Sequence, residues 1–254
     1  MKQVNKERAL TILSPLAVLA VWQLASNMGL VNQRYVPSPV TIAEAGWSLA
    51  VSGELGRHIA ASLRRLFLGF ALGAVPGMAI GIVMGLNRWV RAIVDPLVAA
   101  LYPIPKIAIL PLLMLAFGLG DGSKVAVVAM SVLFLTIINT SVGVMEIDRI
   151  YFDVARNYGT PWHRLFGRVI LPGALPSIFA GLRISLGVSL VVLVGAEFVN
   201  STSRSGIGYL IWTSWETLVV EKMFVGIIVI TILGVVTTFL LREVERRLVP
   251  WRYD

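Results

Sequence analysis

Four stretches of this chain, 9–33, 66–87, 125–145 and 223–241, are apolar and contain no Asp, Glu, Lys or Arg. Two more apolar regions carry isolated charges: 93–119 holds Asp95 and Lys106, and 169–199 holds Arg183 and Glu197. A helix needs about 20 apolar residues to cross the hydrocarbon layer. The pattern therefore predicts about six transmembrane helices, at 9–29, 60–86, 93–117, 124–145, 174–198 and 222–241. The fold class is an all-α polytopic membrane protein. Residues 1–34 form an N-terminal tail and first helix, and 35–59 an extracytoplasmic segment with a short surface helix. The membrane core is 60–241, including a long polar loop at 146–173, and 242–254 is a C-terminal tail. The first helix follows a basic segment, as a signal peptide would. No small-x-small cleavage site follows it and its apolar run is too long, so an uncleaved helix is expected.

Composition narrows this further. Of 254 residues 57% are hydrophobic and 14% charged, and there is no cysteine. Soluble domains carry about 25% charged residues. An ordinary soluble enzyme, a disordered tail, a disulfide scaffold and thiol chemistry are all excluded. The net charge of +8 would suggest nucleic acid in a soluble protein, but its distribution says otherwise. With six spans both termini share one side. The segments there (1–8, 87–92, 146–173 and 242–254) carry thirteen Lys and Arg, against five in the opposite loops: Arg34, Arg57, Lys124, Arg204 and Lys222. The positive-inside rule makes that side cytoplasmic. Trp212 and Trp215 suit the outer interface, and Trp89 and Trp251 the inner one.

The second span has glycine at every fourth position: Gly69, Gly73, Gly77, Gly81 and Gly85. Such a stripe lets another backbone approach closely. Two readings stay open, packing within the chain and a seam between two copies. The third span is interrupted by Pro96, Pro103, Pro105 and Pro111, and Lys106 lies among them. Carbonyls freed at membrane depth need protein or water to satisfy them. Lys106 either lines a solvated pathway or is paired or snorkelling. Asn139 and Thr140 can bond across helices. Arg183 and Glu197 are about 21 Å apart along a helix, so each needs a partner elsewhere, Arg183 towards the cytoplasmic end and Glu197 towards the outer.

The catalytic inventory is empty. His58 and His163 are expected on opposite sides, which excludes a two-histidine metal site. Gly118 to Lys124 looks like a phosphate loop but lacks its Gly-Lys-Ser/Thr order. No carboxylate pair or Ser/His/Asp set shares a face. Uphill transport would draw its energy from an ion gradient or from a partner. The loop from Asp148 to Pro176 is predicted to form two short amphipathic helices, roughly 149–158 and 161–168, parted by Gly159 and Pro161. Its Tyr151, Phe152, Val154 and Tyr158 either dock into another protein or lie on the inner leaflet.

The loop also carries a resemblance. Asp153-Val154-Ala155, then Gly159, then nine residues to Val169-Ile170-Leu171-Pro172, is similar to the EAA loop of ABC importer permeases, with Asp for Glu, Val for the first Ala and Val for Ile. Ser62-Leu-Arg-Arg65, Ile104-Pro-Lys-Ile-Ala108, Phe117-Gly-Leu-Gly120, Gly181-Leu-Arg-Ile184, Ala196-Glu197 and Gly206-Ile-Gly208 resemble the nitrate/sulfonate/taurine/bicarbonate-type subgroup, over roughly 35–241. The resemblance implies a type I importer fold in the bacterial inner membrane, with two permease subunits (a homodimer is expected) and two ATP-binding subunits that hold the ATP and Mg. It also implies an extracytoplasmic solute-binding protein. Asp153, Val154, Ala155, Tyr158, Gly159, Leu171 and Pro172 would couple to the ATPase. Arg65, Lys106, Asn139, Arg183 and Glu197 are candidates for pathway or gate, and the solute class is a small anion. An ion-gradient-driven carrier is the main alternative, and a membrane-embedded enzyme the weaker one. Neither a metal nor a nucleic-acid partner is expected.

Overall fold

The structure is a computed structural model. It describes residues 2–199 and 203–252, with side chains over 13–199 and 203–251. In chain order the helices are α1 (Lys2–Asn27), α2 (Pro39–Val51), α3 (Glu54–Leu86), α4 (Arg88–Leu101), α5 (Leu110–Phe117), α6 (Asp121–Met145), α7 (Arg149–Asn157), α8 (Trp162–Leu165), α9 (Leu171–Phe198), α10 (Ile207–Glu216) and α11 (Val220–Leu248). No strand occurs among the described residues. Four helices are long and apolar enough to cross a membrane: α3, α6, α11 and the continuous run Trp162–Phe198. The expected first span falls on α1, part of whose side chains lie outside the described residues.

The centre of the bundle is α6, packed between α3 and α9. All five glycines of the α3 stripe face it. Their partners on α6 are Val128, Val132, Thr136, Thr140 and Val144, themselves four residues apart, and a Cβ at any of the glycines would fall under 3.0 Å from α6 atoms. Residue numbers rise together on both helices, so α3 and α6 run parallel. The glycines form a seam inside the chain. On its other side α6 meets α9 antiparallel, with Gly143 against Ser177 and Asn139 against Gly181. The core joins Val128, Val132 and Val144 of α6 to Leu66 and Ala74 of α3, to Ala174, Ile178 and Leu193 of α9, and to Val249.

Two parallel neighbours need the chain to return between them, and this falls to the expected third span, which is broken: α4 and the segment Lys106–Phe117 meet at 86°. Pro103 and Pro105 cause the break, since each removes a backbone donor and crowds the preceding turn; Pro96 stays within α4. The loop at 146–173 is corrected. Its first helix is α7, but the second is not a separate short helix. It runs from Trp162 through a π-turn at Phe166–Ile170 into α9. Pro172 has no N–H for the Arg168 carbonyl, and the wider turn, with the Leu171 N–H on the Phe166 carbonyl, accommodates it. The surface helix expected in 35–59 is α2, capped by the Ser38 hydroxyl on the Thr41 N–H and started by Pro39. The connection between the last two expected spans is more than a loop, because it contains α10, folded back beside α9 and α11.

Candidate functional site

At the end where α3 begins, four helices converge on a buried arginine, beside the buried Lys124 of α6. Arg65 is wholly inaccessible, and its five N–H donors are all engaged. Nη1 donates to Glu197 Oε1 (2.5 Å) and to the Ser205 carbonyl (2.7 Å). Nη2 donates to the hydroxyls of Ser203 and Ser205 (3.0 and 3.1 Å), and Nε to Asp121 Oδ1 (2.8 Å). Glu197, equally buried, is saturated as well. Ser62 donates to its carboxylate, and its Oε2 accepts from the Gly208 N–H at 2.9 Å. The Ser62 hydroxyl in turn accepts from the Ile207 N–H at 2.8 Å. The first free N–H groups of α10 are therefore capped by a carboxylate and a hydroxyl from other helices, the charge sign that a helix N-terminus favours. His58 Nδ1 lies 2.8 Å from the Gly206 carbonyl oxygen. Arg64 and Asp121 complete the cluster as an ion pair at its rim.

Glycine is obligatory at the centre of this cluster. Gly206 has φ of 122°, and a Cβ there would collide with the Glu197 carboxylate and Arg65 Nη1. Gly208 meets the Val194 carbonyl and Glu197 Cβ equally closely. Sequence reasoning singled out Arg65 and Glu197 but missed their pairing, along with the parts played by Ser62, Asp121, Ser203 and Ser205. The available signal was that the spans 60–86 and 174–198 carry charges of opposite sign, Arg65 and Glu197, near the same expected end.

The other polar candidates lie apart from this cluster. Lys106 sits at the α4–α5 break, where its ammonium donates to the carbonyls of Leu101 (3.0 Å), Tyr102 (2.8 Å) and Ile104 (2.8 Å). These carbonyls lost their helical donors when the prolines broke the helix, and the three donors of one ammonium replace them. The Phe134 ring, 5.0 Å from Nζ, covers the charge from α6. Arg183, midway along α9, pairs with the buried Glu245 of α11. It keeps a third of its side chain accessible, and its Nε is buried without a hydrogen-bond partner. Asn139 donates to the Leu135 carbonyl at 2.8 Å and packs against Gly181.

At the opposite end α7 presents a different chemistry. Asp148 caps it by accepting the Ile150 N–H at 3.0 Å. Gly159, at φ 61°, closes it. The Gly159 N–H reaches the Arg156 carbonyl and the Thr160 N–H the Ala155 carbonyl (3.0 and 2.8 Å), a doubly bonded helix stop that uses the left-handed glycine. With both ends fixed, the helix turns Phe152 and Ala155 inward and Tyr151, Val154 and Tyr158 outward, the last 85% exposed. Asp153 lies on the exposed side. Leu171 packs on the core, and Pro172 lines a cavity of about 450 Å³ beneath α7 that Tyr151, Arg168 and Trp251 also border. No group of three or more His, Cys, Asp or Glu able to hold a metal occurs among the described residues.

Comparison with known proteins agrees with this architecture. The family described as binding-protein-dependent transport system inner membrane component matches residues 77–250, from the second half of α3 through the broken span and α7 to the end of α11. The putative aliphatic sulfonates transport permease protein SsuC of Bacillus subtilis is 38% identical over 241 residues, 95% of this chain and 87% of that one. The taurine transport system permease protein TauC of Escherichia coli is 32% identical, over 98% of this chain and 91% of its own. The nitrate import permease protein NrtB of Synechocystis is 30% identical, over 92% and 86%. The chain belongs to the binding-protein-dependent transport system inner membrane components, the multi-pass permeases of ABC importers.

Proposed function

We propose that this chain is the conduit of an importer that takes up a small anion, of the sulfonate, taurine or nitrate kind, using ATP hydrolysed by partner subunits. The observation that carries the reading is α7: a helix fixed at both ends, with an apolar face of Tyr151, Val154 and Tyr158 that nothing among the described residues covers. A rigid amphipathic helix of this kind fits a groove on another protein. Asp153, Val154, Ala155, Tyr158 and Gly159 form the docking element, and Leu171 and Pro172 transmit its movement into α9. The positive-inside bias supports a cytoplasmic position for this end and for both termini. ATP and Mg belong to the partner ATPases. Two copies of the chain, a homodimer, would enclose the pathway, and an extracytoplasmic binding protein would deliver the solute.

Within the membrane the candidate residues divide by accessibility. Arg65 and Glu197 have no donor or acceptor left for a solute, so they serve as a clasp on the outer gate. Lys106 pins the bend between α4 and α5. Arg183 and Asn139, part-exposed at mid-depth, are the pathway residues. Switching then proceeds by rocking of a rigid bundle.

The test is uptake by vesicles holding the purified complex with its ATP-binding subunit. Uptake that stops on ATP depletion and persists with a protonophore is expected. Uptake that an uncoupler abolishes and ATP depletion leaves intact would replace this reading with an ion-gradient-driven carrier.

A further inference from the structure

Ile147, just past the end of α6, borders two cavities. The one beneath α7 balances its charges, with Glu146 and Asp148 beside Arg168. The other, of about 440 Å³, is bordered by Arg91 and Arg149 and by no carboxylate. Its volume lies in the range of small-molecule sites. The half-buried Arg91 side chain reaches only the Met145 thioether, a weak acceptor. The Arg149 guanidinium is exposed and makes no hydrogen bond or ion pair among the described residues. Asp95, one turn beyond Arg91 on α4, does not border the cavity. Two cations thus share a space whose own lining does not neutralise them, which favours an anion there.

The depth of the cavity points to the source of that anion. Leu86 and Met145, which border it, are the last residues of α3 and α6, so it opens where two membrane helices end. Trp89, on the first turn of α4, is 67% exposed and carries the Arg88 guanidinium 4.9 Å from its ring centre. Tryptophan settles at headgroup level. Leu72, Val75 and Val83 stand exposed along α3 on the helix face that ends at Leu86. An acyl chain lying along that face would bring its phosphate to the two arginines.

We propose that this cavity binds the phosphate of an anionic phospholipid, with Arg91 and Arg149 as its ligands, and so ties the start of α7 to the membrane ends of α3 and α6. Basic pockets between membrane helices on the cytoplasmic side hold such headgroups. Helix geometry disfavours a carboxylate of the ATPase as the occupant. At about 100° per residue, Arg149 shares the face of Phe152, which packs inward and borders the cavity. The exposed Tyr151, Val154 and Tyr158 stand about half a turn away. A second copy of the chain in a two-fold contact would bring the same two arginines to this place and add charge of the same sign. The inference needs the membrane placement of α3 and α6, and not the source of energy for transport.

The experiment titrates the full chain, purified in detergent, with phosphatidylglycerol or phosphatidylcholine of the same acyl chains and counts bound lipid by native mass spectrometry. The parent should bind phosphatidylglycerol about tenfold more tightly, equivalent to about 1.4 kcal/mol, and lose that preference as ionic strength rises. Arg91→Gln with Arg149→Gln should remove the preference while phosphatidylcholine binding and the melting temperature stay as in the parent. Arg149→Gln alone, at an exposed position, should lower it several-fold, and Arg91→Lys with Arg149→Lys should keep most of it. Arg246→Gln with Arg247→Gln, which removes two exposed arginines at the end of α11, should leave it intact. A preference that survives loss of Arg91 and Arg149, or that falls equally on loss of Arg246 and Arg247, would overturn the site. Displacement of the lipid by millimolar inorganic phosphate would assign the cavity to a soluble anion and sink the lipid proposal. If Arg149→Gln weakened association with the ATP-binding subunit in phosphatidylcholine nanodiscs, where no anionic lipid is present, the contact would belong to the ATPase instead.

Discussion

The two ends of this bundle handle polar groups in opposite ways. At the Arg65 end Arg65 and Glu197 are buried and their donors and acceptors are taken within the chain, through bonds that join α3, α6, α9 and the start of α10. At the α7 end the backbone is satisfied internally, but Tyr151, Val154, Tyr158 and Trp162 stand exposed. The first end is complete in itself, and removing one member leaves a charge in a place that cannot solvate it. The second is complete only as a shape, and its apolar surface is left for something outside the chain to finish. Stability should therefore be concentrated at the first end and communication at the second.

The largest expected effect tests the first half of this contrast. Removing one partner of a buried ion pair costs about 3–5 kcal/mol, whereas replacing both by apolar groups is often near neutral. Glu197→Ala should thus lose most of its folded protein in a detergent melting assay, and Arg65→Met with Glu197→Leu should recover part of it. Equal stability of Glu197→Ala and the parent would break the contrast at that end.

At α7 the expected change is smaller in stability and specific to coupling. Tyr158→Ala should weaken association with the ATP-binding subunit by about 2 kcal/mol, the scale of an aromatic anchor, without moving the melting temperature. Asp153→Lys and Gly159→Pro should separate ATP hydrolysis from uptake. Full uptake and substrate-stimulated hydrolysis in both variants would remove α7 from the coupling path.

The smallest effect sharpens the picture of what lies between the ends. Gly77→Ala places a methyl 2.9 Å from Thr136 Cβ and should cost about 1 kcal/mol, the low end for overpacking. At Gly187 no atom lies within 4 Å of where the added methyl would sit, so alanine there should be accepted at no cost in the same melting assay. If both behave alike, the parallel α3–α6 seam is not the rigid link between the two ends.

Much of this was legible before the structure. The glycine stripe marks close approach because a four-residue period keeps small residues near one face of any helix, though not which helix would come. Gly159 and Asp148 announce the ends of α7 through local backbone chemistry that acts over a few residues. Pro103 and Pro105 announce a break, but its 86° angle depends on what α6 and α9 leave room for. The pairing of Arg65 with Glu197, 132 residues apart, could not be read from either residue, since each needed a partner and several charges were on offer.

The amino-acid sequence by itself determined that this chain lives in a membrane, roughly where its long apolar helices start and stop, and which loop helix would be amphipathic. Those properties follow from hydropathy, glycine and proline, which act on nearest neighbours and on solvent. Only the tertiary structure decided that α3 and α6 lie parallel, that Lys106 caps broken backbone, and that Gly206 exists to make room for an ion pair. Those facts depend on atoms far apart in the chain being brought within hydrogen-bond distance, and no local pattern encodes which of them will meet.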